Sequence, residues 1–332
     1  MIDENITRFA NALPDSVIVY NSSLEIMLMN EQAKTSFLHF HRETTNILDL
    51  FPQQAKKDFL KPNSQWITQF RSQDKVEHFL LVTVQQYTDV LFLLMVKDIS
   101  HTHKLEAMRQ DFIANVSHEL RTPLTVFHGY LTILKDKLDV PQDKLKEIIE
   151  QMSGQVDRME RLVEDLLLLS RLESYEPDHQ QHLTVSVVSL LKDILHDAMA
   201  LSEGHHVFQQ DWDDNVVIVG QVEELRSAFS NLIYNAIRYT PSGGRITLRW
   251  YQRDKTAVFE VEDNGIGILE KHVDRITQRF YQVDKSRTYR GIGGTGLGLA
   301  IVKHVLIRHG GELEIKSELG AGSLFRCLFP LP

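Results

Sequence analysis

Apolar residues recur at steps of three and four through the middle of the chain, from residue 101 to residue 174. This spacing places them along one side of an α-helix, so the pattern predicts amphipathic helices. It is interrupted once, at residues 139–142, where Pro141 suits the first turn of a new helix. We therefore predict a helical hairpin. Its two apolar stripes are Leu105, Met108, Phe112, Val116, Leu120, Leu124, Phe127, Leu131, Leu134 and Leu138, then Leu145, Ile148, Ile149, Met152, Val156, Met159, Leu162, Val163, Leu166 and Leu169.

The two arms of this hairpin carry more apolar surface than they can cover by packing against each other alone. Pairing with a second copy of the chain would bury both stripes in a four-helix bundle. The pattern therefore favours a homodimer. A monomeric hairpin that packs on the other domains is the alternative.

In residues 1–98, short β-like runs alternate with short helical patterns, which predicts an antiparallel sheet crossed by short helices. His39 and His41 could suggest a haem or metal site, but two exposed loop residues are the commoner interpretation. The predicted strands are Val17–Tyr20, Ile26–Met29, His78–Gln85 and Val90–Val96, and the predicted helices are Glu31–Phe37, Ile47–Phe51 and Gln53–Leu60.

The last part of the chain, residues 182–332, mixes strands and helices after a polar linker at Glu173–Gln181. We predict an α+β sandwich with one layer of helices on one mixed sheet. The strand candidates are Leu183–Val187, Val216–Val219, Arg245–Tyr251, Ala257–Asp263, Gly311–Ser317 and Ser323–Leu328, and the helix candidates are Val188–Leu201, Val222–Arg238 and Leu297–His309.

Composition narrows the class of protein. A length of 332 residues allows two or three domains. The net charge of −9 argues against direct nucleic-acid binding, which usually needs a basic surface. A single cysteine, Cys327, excludes an internal disulfide framework. The longest apolar run, Val90–Val96, is far shorter than the ~20 residues of a membrane-spanning helix. We expect a cytoplasmic chain, either soluble or part of a longer membrane receptor.

Residues 111–124 contain the first chemical signal. His118 lies mid-helix with Glu119 directly after it. A neutral imidazole can attack a phosphoryl group, and a neighbouring carboxylate can accept its proton. Pro123 follows within the same predicted helix, at a cost of ~3 kcal/mol or more, and suggests a hinge beside the candidate nucleophile.

A second group of residues is suited to a nucleotide. Asn231, Asn235 and Arg238 share a helix face with Tyr239 beside them. An amide oxygen can ligate Mg²⁺, and a guanidinium can meet phosphate oxygens. Asp263 follows a predicted strand and could accept a hydrogen bond from an exocyclic amine such as that of adenine.

Glycines dominate the third signal, residues 291–298, which lead into a helix and form a typical anion site. Gly291, Gly293 and Gly296 also satisfy the dinucleotide pattern G-x-G-x-x-G. That interpretation requires a strand directly before the first glycine, whereas residues 284–290 are polar and charged. We expect residues 268–296 to form a lid beside the nucleotide.

Together, these motifs resemble those of sensor histidine kinases. Residues 111–124 resemble their phosphoacceptor box, and the later motifs resemble the ATP-binding domain shared by histidine kinases, Hsp90, type II topoisomerases and MutL. The resemblance implies a multidomain α+β protein. Its expected parts are a PAS-like sensor domain (1–98), a dimerising phosphotransfer hairpin (99–174) and an ATP-binding α/β sandwich (182–332).

The resemblance also implies roles for individual residues. His118 would be the phosphoacceptor, Glu119 its base, and Thr122 the residue that orients water in a phosphatase reaction. Asn235 would ligate Mg²⁺, and Arg279 to Tyr281 match a mobile segment before the lid. The residues expected to bind ATP are Asn231, Asn235, Arg238, Tyr239, Asp263, Gly265, Gly267, Arg275, Gly294, Thr295, Gly296, Leu297, Gly298 and Ser323.

Three stretches of the sequence, residues 112–126, 225–236 and 279–287, resemble those of sensor kinases of the phosphate regulon. This implies two partners, the response regulator of that regulon and an accessory regulator of phosphate transport. It also implies that the full-length protein is anchored in the bacterial inner membrane. The alternatives are a non-kinase ATPase, which leaves the His118 box unexplained, and a catalytically inactive scaffold, which leaves the intact ATP motifs unexplained.

Overall fold

The computed structural model describes residues 4–37, 45–51, 59, 61, 63–71, 77–136, 141–174, 183–283 and 294–331. It divides into two compact units, residues 1–111 and 112–332, which are described separately below. Several predictions lie outside the described residues: His39, His41, most of the helix Gln53–Leu60, the turn at 139–140, most of the linker Glu173–Gln181, and the glycines Gly291 and Gly293.

The described elements of the first unit are α1 (Glu4–Ala12), β1 (Ser16–Asn21), β2 (Ile26–Met29), α2 (Glu31–Phe37), a 3₁₀ turn (Ile47–Asp49), β3 (Ser64–Arg71), β4 (Glu77–Gln86) and β5 (Leu91–Asp98). The strands form a five-stranded antiparallel sheet in the order β2-β1-β5-β4-β3. The core of the unit is formed by apolar side chains of the strands, among them Ile18, Val82 and Leu94, which are fully buried.

One sequence prediction in this unit is wrong, and two elements were missed. The predicted helix Ile47–Phe51 is only the short 3₁₀ turn, which Asn46 caps by accepting a hydrogen bond from the Leu48 N–H at 3.0 Å. Pro52 follows and disfavours helical backbone in the residue before it. Helix α1 and strand β3 were not predicted. Polar residues interrupt the apolar alternation of β3, because the strand lies at the edge of the sheet.

The predicted helical hairpin is confirmed. Helix α3 (Ser100–Asp136) begins in the first unit and continues into the second, where α4 (Gln142–Ser174) follows. Helix α3 runs without a break through Pro123, which is buried. Because proline has no N–H, the carbonyl of Glu119 loses its usual helical partner at that point.

The other described elements of the second unit are β6 (Leu183–Ser186), α5 (Val187–Ser202), β7 (Val207–Trp212), β8 (Val217–Gly220), α6 (Val222–Tyr239), β9 (Arg245–Arg253), β10 (Thr256–Asp263), α7 (Glu270–Val273), α8 (Gly298–Arg308), β11 (Glu312–Glu318) and β12 (Gly322–Pro330). They are built on a five-stranded sheet in the order β11-β12-β10-β9-β7. Strands β7 and β9 are parallel, and the other neighbours are antiparallel.

The predicted single mixed sheet is wrong in two respects. Strands β6 and β8 pair with each other in a separate two-stranded sheet. Strand β7 was missed, because its centre is the polar run Gln209 to Asp211 and the strand lies at an exposed edge.

Helices α5, α6 and α8 share one hydrophobic core with this sheet, in which Phe229, Trp250 and Phe259 are fully buried. Helix α4 of the hairpin joins the same core through Leu162, Leu169 and Leu172 and packs beside α8. The hairpin and the sheet domain are therefore parts of one compact unit, and side chains of α4 face the loop that leads into α8.

Candidate functional site

Asp263 is the last residue of β10, and its carboxylate is buried. It accepts a hydrogen bond from the Gly265 N–H at 2.8 Å. Burial raises the pKa of Asp263, while backbone hydrogen bonds from Gly265 and Ser323 act in the opposite direction. A buried carboxylate has several acceptor positions, so this one is suited to binding an amine or amide N–H of a ligand.

The loop after Asp263 approaches neighbouring backbone so closely that only glycine fits. A Cβ on Gly265 would lie 2.4 Å from the carbonyl oxygen of Tyr239. Gly267 has a φ of +66°, and a Cβ there would lie 1.9 Å from the carbonyl oxygen of Glu318. The loop is therefore held between the end of α6 and the β11–β12 turn. The hydroxyl of Ser323 lies 2.9 Å from that of Ser317. The contact of Ser323 with the Asp263 carboxylate is therefore a hydrogen bond from its backbone N–H.

Asn231, Asn235 and Arg238, which the sequence predicts to share one helix face, lie on α6. The side-chain amide of Asn231 donates to the carbonyl of Ser227 at 2.9 Å. A Cβ on Gly298 would lie 2.3 Å from the side-chain oxygen of Asn231, so the start of α8 lies directly against α6. One turn further, the Asn235 side-chain oxygen lies 3.5 Å from a guanidinium nitrogen of Arg238. Tyr239 is exposed at the end of the helix.

Residues 294–298, which the sequence predicts to be the edge of a lid, lie over the Arg238 end of α6. A Cβ on Gly294 would lie 2.5 Å from the Arg238 guanidinium. Gly296 has a φ of +74°, and its carbonyl accepts a hydrogen bond from the Phe280 N–H at 2.9 Å. Leu297 is fully buried and anchors the segment. We call Arg238 together with residues 294–298 the phosphate end of the site, because these are residues that the sequence predicts to lie near the phosphates of a nucleotide.

The observed contact of Arg275, a predicted nucleotide residue, is with an aromatic ring. Its guanidinium lies 4.5 Å from the ring centre of Tyr281. The neighbouring Arg279 is paired with Glu173 of α4 and lies 5.5 Å from the ring centre of Phe112. A role of Arg275 in phosphate binding stays a prediction from the sequence.

The predicted phosphoacceptor lies on the hairpin. His118 is exposed on α3, and its carbonyl accepts a hydrogen bond from the Thr122 hydroxyl at 3.2 Å. Glu119 points toward α4, where its carboxylate is paired with Arg158 at 3.2 Å. Arg158 was not singled out from the sequence, because an arginine on the polar face of a helix has no signature of its own.

A second group that the sequence analysis missed is Asp165, on α4. The Thr295 hydroxyl donates a hydrogen bond to its carboxylate at 3.3 Å. Burial raises the pKa of Asp165 to about 6. In the sequence, Asp165 directly follows Glu164 and carries no signal that separates it from an ordinary solvated acid.

The residues present fit Mg²⁺ and ATP. Asn235 offers an amide oxygen close to the phosphate end, and Mg²⁺ typically takes few protein ligands. Within the described ranges there is no cluster of three or more His, Cys, Asp or Glu side chains of the kind that holds zinc. At the other end, the buried Asp263 carboxylate could accept a hydrogen bond from the exocyclic amine of adenine, and Gly265 and Gly267 let the loop after it pack against the backbone of Tyr239 and Glu318.

Two family models match parts of the chain. The His Kinase A (phospho-acceptor) domain matches residues 108–175, and the histidine kinase-, DNA gyrase B-, and HSP90-like ATPase matches residues 220–332. Within the described part of the chain, no helix has the length and apolarity that crossing a membrane requires.

The chain is similar to curated sensor proteins. It is 50% identical over 240 residues to the phosphate regulon sensor protein PhoR of Pseudomonas aeruginosa, covering 71% of this chain and 53% of the relative. It is 33% identical over 328 residues to PhoR of Haemophilus influenzae, covering 98% and 76%. Sensor protein SrrB of Staphylococcus aureus is 30% identical over 344 residues, covering 97% and 55%. The chain thus spans about half the length of the first of these relatives.

Solved structures share the fold. The histidine kinase ThkA, in a crystal structure with the response regulator protein TrrA, has a TM-score of 0.53 at 18% identity and covers 100% of this chain and 99% of ThkA. The Acinetobacter baumannii histidine kinase AdeS has a TM-score of 0.50 at 23% identity, covering 64% and 98%.

Proposed function

Because the chain belongs to the sensor histidine kinase family, we propose that it transfers the γ-phosphoryl group of ATP to His118 and from there to an aspartate of a response regulator. One observation carries this proposal. A single compact unit contains both an exposed histidine followed by a carboxylate and a candidate nucleotide site, which includes the buried Asp263, Arg238 and the glycine-rich start of α8.

In the proposed reaction, an imidazole nitrogen of His118 forms a bond to the γ-phosphorus, and the bond from that phosphorus to the β,γ-bridging oxygen breaks. ADP leaves, and Glu119 accepts the imidazole proton. Phosphoryl transfer depends mainly on positioning and charge neutralisation. Arg238 would neutralise phosphate oxygens, and Asn231 with the lid edge would shape the phosphate end. Asn235 would hold Mg²⁺, which neutralises phosphate charge when bound.

The adenine end of the site leads to a direct prediction. We expect Asp263→Asn to weaken Mg·ATP binding by about tenfold or more, because it replaces a charged hydrogen-bond acceptor with an amide. Isothermal titration calorimetry measures the dissociation constant. The matched control is Asp254→Asn, the same chemical change at an exposed turn of the same domain. Equal ATP affinity of the two variants would contradict the assignment of Asp263.

We also propose that the protein dephosphorylates its response regulator, with Thr122 orienting the attacking water. This role rests on the family resemblance and on the location of Thr122 one turn after His118. Thr122→Ala should lower dephosphorylation of the phosphorylated regulator by about a hundredfold, with autophosphorylation little changed.

Thr125→Ala is the matched control for Thr122→Ala, since the Thr125 hydroxyl makes the equivalent bond to the carbonyl of Arg121 at 2.9 Å. The loss of the phosphoryl group from purified phosphorylated regulator measures the phosphatase activity separately from autophosphorylation. If Thr122→Ala and Thr125→Ala dephosphorylate the regulator at the same rate, Thr122 has no such role.

Structure and similarity also support proposals about the assembly, the domains and the partners of the chain. The exposed apolar residues Leu124, Leu131 and Ile149 of the hairpin support a homodimer. The β2-β1-β5-β4-β3 order supports a PAS-like sensor domain in residues 1–98, ahead of a hairpin at 99–174 and an ATP domain at 182–332.

The similarity to PhoR supports a phosphate-regulon response regulator as partner and a role in phosphate starvation. An accessory regulator of phosphate transport and membrane anchorage stay expectations from the resemblance.

A further inference from the structure

One contact joins the hairpin to the lid at the phosphate end of the site. The hydroxyl of Thr295 donates to the carboxylate of Asp165 on α4 at 3.3 Å. Both side chains are partly buried. Thr295 also accepts a hydrogen bond from the Leu297 N–H at 3.3 Å, so its hydroxyl lies within the turn that begins α8. Asp165 is therefore attached to the segment that would surround the phosphates.

The surroundings of Asp165 are cationic. Arg238 is close enough for its charge to lower the pKa of Asp165, and the Asp165 charge in turn raises that of Arg238. The positive charges of Arg158 and Arg161 on α4 lower the pKa of Arg238. Residues 158, 161 and 165 lie on one face of α4, because they are spaced by three and four. The charged neighbours of Asp165 are thus Arg161 and Glu164 on its own helix and Arg238 on α6.

We propose that Asp165 is an internal anion that holds the phosphate end of the nucleotide site, Arg238 and Thr295, against α4 until nucleotide phosphate displaces it. This inference rests on the proposed ATP site. It makes Asp165 a positioning residue, which acts through Arg238 and Thr295 and links nucleotide binding to release of residues 294–298 from α4.

Electrostatics explain why the two anions compete. Arg238 is largely buried, and burial lowers its pKa, so its positive charge is stabilised by a nearby anion. Asp165 supplies that anion when no phosphate is bound. A phosphate group on Arg238 and Thr295 would meet the negative charge of Asp165 in a partly desolvated site, which is unfavourable. The pKa of Asp165, about 6, leaves it mostly ionised at neutral pH and therefore able to act as the anion.

The test compares nucleotide affinity in Asp165→Asn and wild type. Asparagine keeps an oxygen that can accept the Thr295 hydroxyl but removes the charge. Calorimetry with Mg·ATP, Mg·ADP and adenosine should show ATP and ADP binding about fivefold or more tighter in Asp165→Asn, with adenosine affinity unchanged. Autophosphorylation should show a lower KM for ATP and a kcat that is equal or higher.

Glu164→Gln is the matched control, since it removes the same charge one residue earlier from an exposed position and should leave ATP affinity within about twofold. Asp165→Ala, which also removes the hydrogen bond, should act in the same direction as Asp165→Asn. ATP affinity that is unchanged or weaker in both Asp165 variants would overturn the inference, as would an equal gain for adenosine. Wild type that does not bind Mg·ATP would instead overturn the proposed function.

Discussion

Replacing His118 with alanine should abolish the incorporation of phosphate from ATP into the protein, by at least about a thousandfold. The reason is that the imidazole is the proposed nucleophile, and alanine offers no nitrogen at that position of α3. The variant should still bind Mg·ATP with wild-type affinity, because none of the predicted nucleotide residues lies on α3. Gel-based transfer of the labelled γ-phosphate measures the first quantity and calorimetry the second.

His128→Ala is the matched control for this result. His128 lies on the same helix, is exposed like His118, and accepts the Thr132 hydroxyl at its carbonyl in the way that His118 accepts that of Thr122. It should incorporate phosphate at the wild-type rate. Full labelling of His118→Ala, or equal loss in both variants, would contradict the assignment of the phosphoacceptor.

Replacing Asn235 with alanine should lower the autophosphorylation rate by at least about a hundredfold, since a bound metal ion contributes several kcal/mol of charge stabilisation to phosphoryl transfer. The loss should be accompanied by a raised requirement for Mg²⁺, because the amide oxygen is the proposed protein ligand. Adenosine, which carries no phosphate, should bind as it does to wild type. Autophosphorylation across a Mg²⁺ titration, together with adenosine calorimetry, separates a metal defect from a folding defect.

Asn215→Ala serves as the control for Asn235, as Asn215 lies in an exposed turn of the same domain and bonds to Asp213. Its substitution should leave the Mg²⁺ dependence unchanged. An Asn235→Ala variant with wild-type Mg²⁺ dependence and rate would show that the metal is held elsewhere.

The sequence was most informative where periodicity and chemistry agree. The three-and-four spacing of apolar residues predicts the hairpin, and α3 and α4 follow it over their described lengths. The glycines were identifiable for a physical reason, because Gly267 and Gly296 have positive φ angles and lie against backbone that would clash with a Cβ. Motif and geometry therefore coincide at Asp263 and at the start of α8.

The sequence was least informative where a tertiary contact decides. Strand β7 is polar at its centre and pairs in parallel with β9, which follows it by more than 30 residues in the sequence. Arg158 and Asp165 resemble any other charged residues on the polar face of α4, and their roles appear only when Glu119, Thr295 and Arg238 are placed beside them. Burial and proximity to groups distant in the sequence are not encoded in local pattern.

The most direct test of the account is the position of the phosphoryl group on the wild-type protein. The protein is incubated with Mg·ATP, digested under conditions that preserve phosphohistidine, and analysed by mass spectrometry with fragmentation. We expect one acid-labile, base-stable phosphate, on His118. Phosphate on a serine, threonine or aspartate, or hydrolysis of ATP with no phosphate on the protein, would contradict the proposal that this chain is an autophosphorylating histidine kinase.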